Sequence, residues 1–249
     1  MAASRDERPA FYALAPGSWR DWWTLLHPPY TVWHLSYVVI GASLTPGLNL
    51  RWLGETMLAF FFAMGVAAHA LDELHSRPLG TQIPGGVLVG VAVAGLVAAV
   101  ALGVDGMLQV SSWLGAFVAA GTFLVLAYNL ELLGGVFHSD LWFALAWGAF
   151  PALTASFAQT ARLSVAALIA AAACAVLSAA QRVLSTPVRR LRRHVVAVHG
   201  ELTLDDGTRE PIDAGALRSA PERALRLLSI AVPLVALSLL LASVSGVRR

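Results

Sequence analysis

The sequence predicts an all-α membrane protein of about seven transmembrane helices with a small cytosolic β-hairpin insertion. Three observations lead there. Hydrophobic residues make up 57% of the 249 residues and charged residues 13%, and mean hydropathy is +0.69. Soluble domains do not reach that balance. Apolar runs near the roughly 20 residues needed to cross a bilayer follow one another without a long linker. All 17 residues counted as Lys or Arg are arginine, shared unevenly between the segments that alternate runs leave on opposite sides.

Taken in order, residues 1–25 read as a cytosolic and interfacial N-terminus. They carry Arg5, Arg8 and Arg20 and lack the short apolar core and cleavage site of a signal peptide. Trp19, Trp22, Trp23 and Trp33 crowd the approach to the first span as an aromatic belt does. Residues 26–249 form one membrane domain with spans near 29–46, 53–72, 85–104, 109–129, 140–158, 163–183 and 225–245. The third and sixth spans are rich in Ala, Val and Gly, which predicts close packing in the bundle interior, with Gly86 and Gly90 as a small-xxx-small pair. Cys174 is the only cysteine, so no internal disulfide forms. Thirteen of the 17 arginines fall on the inside if the N-terminus is cytoplasmic, and four (Arg51, Arg162, Arg248, Arg249) on the outside. That asymmetry predicts a cytoplasmic N-terminus and an external C-terminus. Residues 187–222 form a basic insertion between spans 6 and 7. Within it 195–204 reads as strand, Asp205-Asp206-Gly207 as turn and 208–212 as a returning strand, either a plain hairpin or a cap over a cytoplasmic cavity. Ser219-Ala220-Pro221-Glu222 reads as the start of the last helix.

The polar residues that carry chemistry fall on that cytoplasmic side. His69, Asp72 and Glu73 stand at i, i+3 and i+4, followed by His75 and Arg77. Ionisable groups at a membrane surface are functional candidates by default. Carboxylates here suit Mg²⁺ shared with a phosphate, with Arg77 as an anion partner. A His and carboxylate set (His69, Glu73, Glu131, His138) suits a transition metal instead, and a plain solvated helix end suits neither. Tyr128, Asn129 and Glu131, then His138, Ser139 and Asp140, flank the next loop on the same side, as pocket residues or as helix caps. Arg182, Arg189 and Arg190 fit a diphosphate or anionic lipid. His34 lies within apolar sequence, where it either faces a cavity or serves the fold. Phosphate-binding loops, nucleophile elbows and paired cysteine motifs are absent from the sequence, and nothing beyond net charge points to nucleic acid.

Three stretches carry a resemblance. His27-Pro28-Pro29-Tyr30-Thr31-Val32-Trp33, with Val39-Ile40-Gly41-Ala42, resembles the first helix of the UbiA superfamily of intramembrane prenyltransferases. The run from His69 through Arg77-Pro78-Leu79 is similar to that family's first aspartate-rich motif. Tyr128 to Asp140 with Leu145-Ala146-Trp147-Gly148 is similar to its Tyr-containing loop and Gly-rich helix. The second aspartate-rich motif has no counterpart, since the residues from Gln181 to Arg190 contain no carboxylate. The resemblance implies a UbiA-like helical bundle acting on an isoprenoid diphosphate by Mg²⁺-assisted loss of diphosphate. The product arises by prenyl transfer to a lipophilic acceptor or by terpene cyclisation. Asp72, Glu73 and Tyr128 are then the catalytic candidates, with Asp72 and Glu73 as metal ligands. His34, His69, Arg77, Glu131, Arg182, Arg189 and Arg190 are the substrate-binding candidates. The missing motif also suits an inactive scaffold or partner subunit of a membrane complex.

Overall fold

The computed structural model describes residues 8–246. Arg5, Arg248 and Arg249 of the arginine count lie outside the described residues. Helix takes up 73% of the chain, and the described residues add one two-stranded antiparallel sheet, so the mostly helical class with a hairpin insertion holds.

A short helix α1 (Trp19–Leu25) leads into α2 (Pro28–Ser43). Then come α3 (Leu50–Ser76), α4 (Gly85–Gln109), α5 (Leu114–Asn129), α6 (Asp140–Thr160) and α7 (Val165–Arg193). Strands β1 (Glu201–Thr203) and β2 (Arg209–Pro211) precede the last helix, α8 (Ala214–Val244). Five helices (α3, α4, α6, α7 and α8) are long and apolar enough to cross a membrane. The other two expected spans, α2 and α5, have 16 residues each. At 1.5 Å per residue each is roughly 24 Å long, short of a hydrocarbon core of about 30 Å.

Helix α2 is the centre of the bundle. Trp33 and Tyr37 are fully buried on it, and it packs chiefly against α8 and the second half of α6. Gly41 makes the α6 contact possible, since a Cβ there would overlap the Ala152 backbone. Gly148 does the same between α6 and α7, where a Cβ would lie 2.6 Å from the Cys174 carbonyl oxygen.

The expectation that the third and sixth spans fill the interior is corrected. Only 17% of the most apolar stretch of α4 is buried, and 28% of that of α7, against 56% for α6. Gly86 and Gly90 have no neighbour where a Cβ would stand. A uniformly apolar helix is equally content against lipid, and it is the less apolar α6 that the bundle encloses.

Helix α7 runs through the basic stretch expected to be loop, with Pro187 inside it, and ends at Arg193. The last helix starts seven residues ahead of Pro221, at Ala214, capped by the Asp213 carboxylate, which accepts from the Ala216 N–H. Its N-terminal half is fixed by an ion-pair cluster around the buried Glu222, to which Arg192 donates twice, at 2.8 and 2.9 Å, and Arg226 once, at 2.9 Å. The hairpin is shorter than expected, pairs Glu201 with Pro211, and is exposed at every strand residue. Its turn is held by Asp206, which accepts from the Thr208 N–H at 2.8 Å. That bond and the companion Thr208 hydroxyl hold the Asp206 carboxyl below the usual carboxylate range.

Candidate active site

Two segments of the bundle are π-helical, Phe61–Ala68 within α3 and Leu145–Ala149 within α6. A π segment breaks the i→i+4 ladder and changes which residues face inward, a device common at functional sites. Beside them a polar cavity of about 300 Å³ opens at one end of the bundle. Its walls come from the N-terminal segment, the end of α3, the residues after α5, and the end of α7.

Five of the seven histidines line it: His27, His34, His69, His75 and His138. Three are held by backbone carbonyls. His34 Nδ1 lies 2.8 Å from the Trp147 carbonyl oxygen and His69 Nδ1 lies 3.1 Å from that of Gly65, both inside π segments. His138 Nδ1 lies 3.0 Å from the carbonyl of Tyr128, in the last turn of α5. Carbonyls at those places lack the usual helical partner. A carbonyl only accepts, so each Nδ1 carries the proton, and in the neutral ring each Nε2 is left as an acceptor. His27 stacks on His69, with ring centroids 4.2 Å apart. Burial, then the neighbouring His69, holds the His27 ring well below the ordinary histidine pKa, so it is neutral.

Opposite stands a cationic stripe. Gln181, Arg182, Ser185, Val188, Arg189 and Arg193 line the cavity from one face of α7, the face a 3.6-residue repeat selects. Arg182 donates to Asp140 at 2.8 Å and stacks over Phe143. Arg189 makes only a 3.4 Å hydrogen bond to the Thr186 hydroxyl, and Arg193 only one to the Pro9 carbonyl, among the described residues. Asp72 faces this stripe within electrostatic reach of Arg193, Arg189 and His138. Its carboxylate accepts no hydrogen bond among the described residues. Tyr128 stacks on His138 and Trp147, with its hydroxyl buried and without a hydrogen-bond partner among the described residues. His27 Nε2 is likewise buried without a hydrogen-bond partner among the described residues.

Of the residues expected at the site, His34, His69, Asp72, Tyr128, Glu131, Arg182 and Arg189 are brought together around this cavity. Three are not. Glu73 is fully buried and accepts from the N–H of Leu79 at 2.9 Å and from the N–H and hydroxyl of Thr81 at 2.8 and 2.9 Å. Arg77 turns the chain in the left-handed region at φ 50°. Its guanidinium donates to the carbonyls of Ile83 at 2.6 Å and Thr81 at 3.3 Å. Arg190 is exposed and does not line the cavity. The physical reason for Glu73 is simple: consecutive helical residues point about 100° apart, so Asp72 facing the cavity sends Glu73 into the loop.

The Asp72–Glu73 pair therefore does not fit a shared Mg²⁺, because Glu73 is fully buried, both of its oxygens accept from the Leu79–Thr81 loop, and it does not line the cavity that Asp72 faces. The set His69, Glu73, Glu131 and His138 does not assemble either. Among the described residues no three His, Cys, Asp or Glu side chains form a group able to hold a metal ion. Glu131 Oε1 stands 3.9 Å from both His75 Nε2 and His138 Nδ1, too far for a hydrogen bond.

The lid was not foreseen. Pro9, Ala10, Phe11 and Tyr12 close one side of the cavity, and none of the hairpin residues line it, so of the two readings of the hairpin the plain one fits. The segment is tied down by the Leu14 N–H to the Thr24 hydroxyl at 3.0 Å and the Trp23 indole N–H to the Tyr12 carbonyl at 3.3 Å. Arg226 stacks over Phe11. Burial, then the nearby Tyr30, raises the Tyr12 phenol well above the ordinary range, so it stays a donor. In sequence only the aromatic pair Phe11-Tyr12 in an otherwise polar segment signalled this.

A second cavity, of about 120 Å³, lies between α3, α4, α5 and α6. Its walls are mostly apolar, with Phe60, Met64, Leu96, Phe117 and Phe150 among them. Trp147 lines both cavities. The fold and site thus define a helical protein with five described helices long and apolar enough to cross a membrane, a cationic and histidine-lined cavity at one end, and an apolar cavity adjoining it. Comparison with protein-family models, with curated proteins and with solved structures finds no match.

Proposed function

We propose that this chain is a divergent UbiA-like integral membrane enzyme acting on an isoprenoid diphosphate. It either transfers the prenyl group to a lipophilic acceptor or cyclises it. The observation that carries the reading is the pairing of a cationic cavity with an apolar one across Trp147. An anion-headed isoprenoid has that polarity, and separate polar and apolar ligands do not need adjoining sites. In this reading all seven helices from α2 to α8 cross or enter the bilayer. The arginine distribution supports an orientation with the N-terminus and the polar cavity at the cytoplasmic face and the C-terminus outside.

The chemistry follows from the side chains around the cavity. The allylic C–O bond breaks and its electron pair leaves with the diphosphate, whose growing charge Arg189 and Arg193 neutralise. The Tyr128 hydroxyl donates to the same group. The allylic cation is stabilised by the faces of Tyr128, Phe143 and Trp147 and by the Asp72 carboxylate. The acceptor, or an alkene of the same chain, gives an electron pair to form the new bond. The proton released goes to a neutral imidazole Nε2 of His34, His69 or His138.

A scaffold without catalysis is the second reading. It is favoured by the engagement of Glu73 in the loop and by the lack of any carboxylate on the cavity face of α7. One assay separates them. Purified full-length protein in lipid nanodiscs is given geranyl, farnesyl and geranylgeranyl diphosphate, with a panel of lipophilic acceptors, and inorganic pyrophosphate is measured. The enzyme reading expects protein-dependent release with at least one chain length. No release from any of them, with a protein partner that co-purifies in fixed ratio, establishes the scaffold instead.

A further inference from the structure

We propose that the cavity binds its diphosphate on arginine alone, without a divalent cation, through Arg189, Arg193 and the Tyr128 hydroxyl. This rests on the reading of the cavity as a phosphate-anion site, and it departs from the metal-assisted chemistry the resemblance implies.

The carboxylates decide the first half of the argument. A cation bridging protein to diphosphate needs carboxylate oxygens that converge on one point. Asp72 and Glu131 are the carboxylates that line the cavity, and among the described residues no three His, Cys, Asp or Glu side chains come together to hold a metal ion. Glu73 gives both of its oxygens to the Leu79–Thr81 loop. The cavity face of α7, across from Asp72, carries arginines where acidic ligands would have to stand. A metal ion placed between them meets three guanidinium groups that already repel one another.

The arginines decide the second half. Arg182 is paired with Asp140, and Arg192 and Arg226 are paired with Glu222. Arg189 and Arg193 face the cavity and have no carboxylate within ion-pair distance among the described residues. They stand at i and i+4, so their guanidinium groups reach the same space. Partly sequestered like charges are costly unless an anion enters between them. The planar fork of each guanidinium matches two phosphate oxygens. The Tyr128 hydroxyl, buried with no acceptor among the described residues, supplies one more donor.

The test is calorimetric titration of inorganic pyrophosphate into the full-length protein in uncharged lipid nanodiscs, once in EDTA and once in excess Mg²⁺. Binding in EDTA at least as tight as in Mg²⁺ is expected. Arg189→Gln and Arg193→Gln are each expected to weaken it by about 10- to 100-fold, the size of a charged hydrogen bond. Arg190→Gln, on the exposed face, is expected to leave it unchanged. If Arg189→Gln does not fold, Arg189→Lys takes its place, with weaker binding expected from loss of the fork. Binding only in Mg²⁺ overturns the metal-free clamp and leaves the phosphate-site reading standing. No binding in either buffer overturns both.

Discussion

Glu73→Ala is expected to destabilise the protein by about 3–5 kcal/mol, the cost of leaving three buried donors without their acceptor. Glu73 is fully buried and accepts three hydrogen bonds from Leu79 and Thr81. Alanine leaves two backbone N–H groups and a hydroxyl buried without an acceptor. Glu73→Gln keeps the shape but replaces one acceptor with a donor, so an intermediate loss is expected. Thermal unfolding in detergent, compared with Asp72→Asn as the adjacent control, measures both. A Glu73→Ala protein as stable as its parent, but unable to release pyrophosphate, would reassign this carboxylate to the chemistry.

Asp72→Asn is expected to lower kcat by about 100- to 1,000-fold, the size of one electrostatic transition-state contact. KM for the prenyl diphosphate is expected to stay level or fall. Asp72 lines the cavity and shares it with Arg189 and Arg193. Its charge opposes that of the bound diphosphate in the ground state and favours the allylic cation only as it forms. Losing an interaction made in the transition state alone moves kcat and not KM. Steady-state pyrophosphate release over a range of substrate concentrations makes the split visible. A raised KM at constant kcat would make Asp72 a binding residue.

Much of the fold is legible in sequence because apolar length is a strong signal. The expected spans 53–72, 85–104 and 140–158 fall within Leu50–Ser76, Gly85–Gln109 and Asp140–Thr160. The ends of the last two helices were hidden by charge. Arg189 to Arg193 read as a basic loop, yet arginine is a good helix former and the helix simply continues out of the apolar zone. The Asp213 cap likewise lies well before the apolar part of α8. Hydropathy alone also misjudged the interior, since lipid and core both accept Ala and Val.

The site was half legible. His69, Asp72 and Tyr128 were visible as polar groups at the ends of apolar runs, and the structure gathers them. Glu73 and Arg77 looked equivalent to them because one-dimensional spacing does not say which side of a helix meets a cavity and which meets a loop. The π-helical segment that frees the carbonyl of Gly65 left no mark in composition, whereas Pro151, with no N–H to give four residues on, marks the carbonyl of Trp147 as lacking its helical partner. The lid from Pro9 to Tyr12 depends on contacts with residues more than 150 positions away, among them Arg193 and Arg226. No local pattern encodes those.

The proposed function requires the cationic and apolar cavities to serve one molecule. Equilibrium binding of inorganic pyrophosphate, then geranyl, farnesyl and geranylgeranyl diphosphate, to the full-length protein tests it most directly. Affinity is expected to rise at least about tenfold with each added isoprene unit until the apolar cavity is filled, from the burial of further methylene-sized groups. The lipid of the nanodisc is accounted for by titrating empty discs in parallel. An affinity set by the diphosphate alone, the same for every chain length, would contradict it.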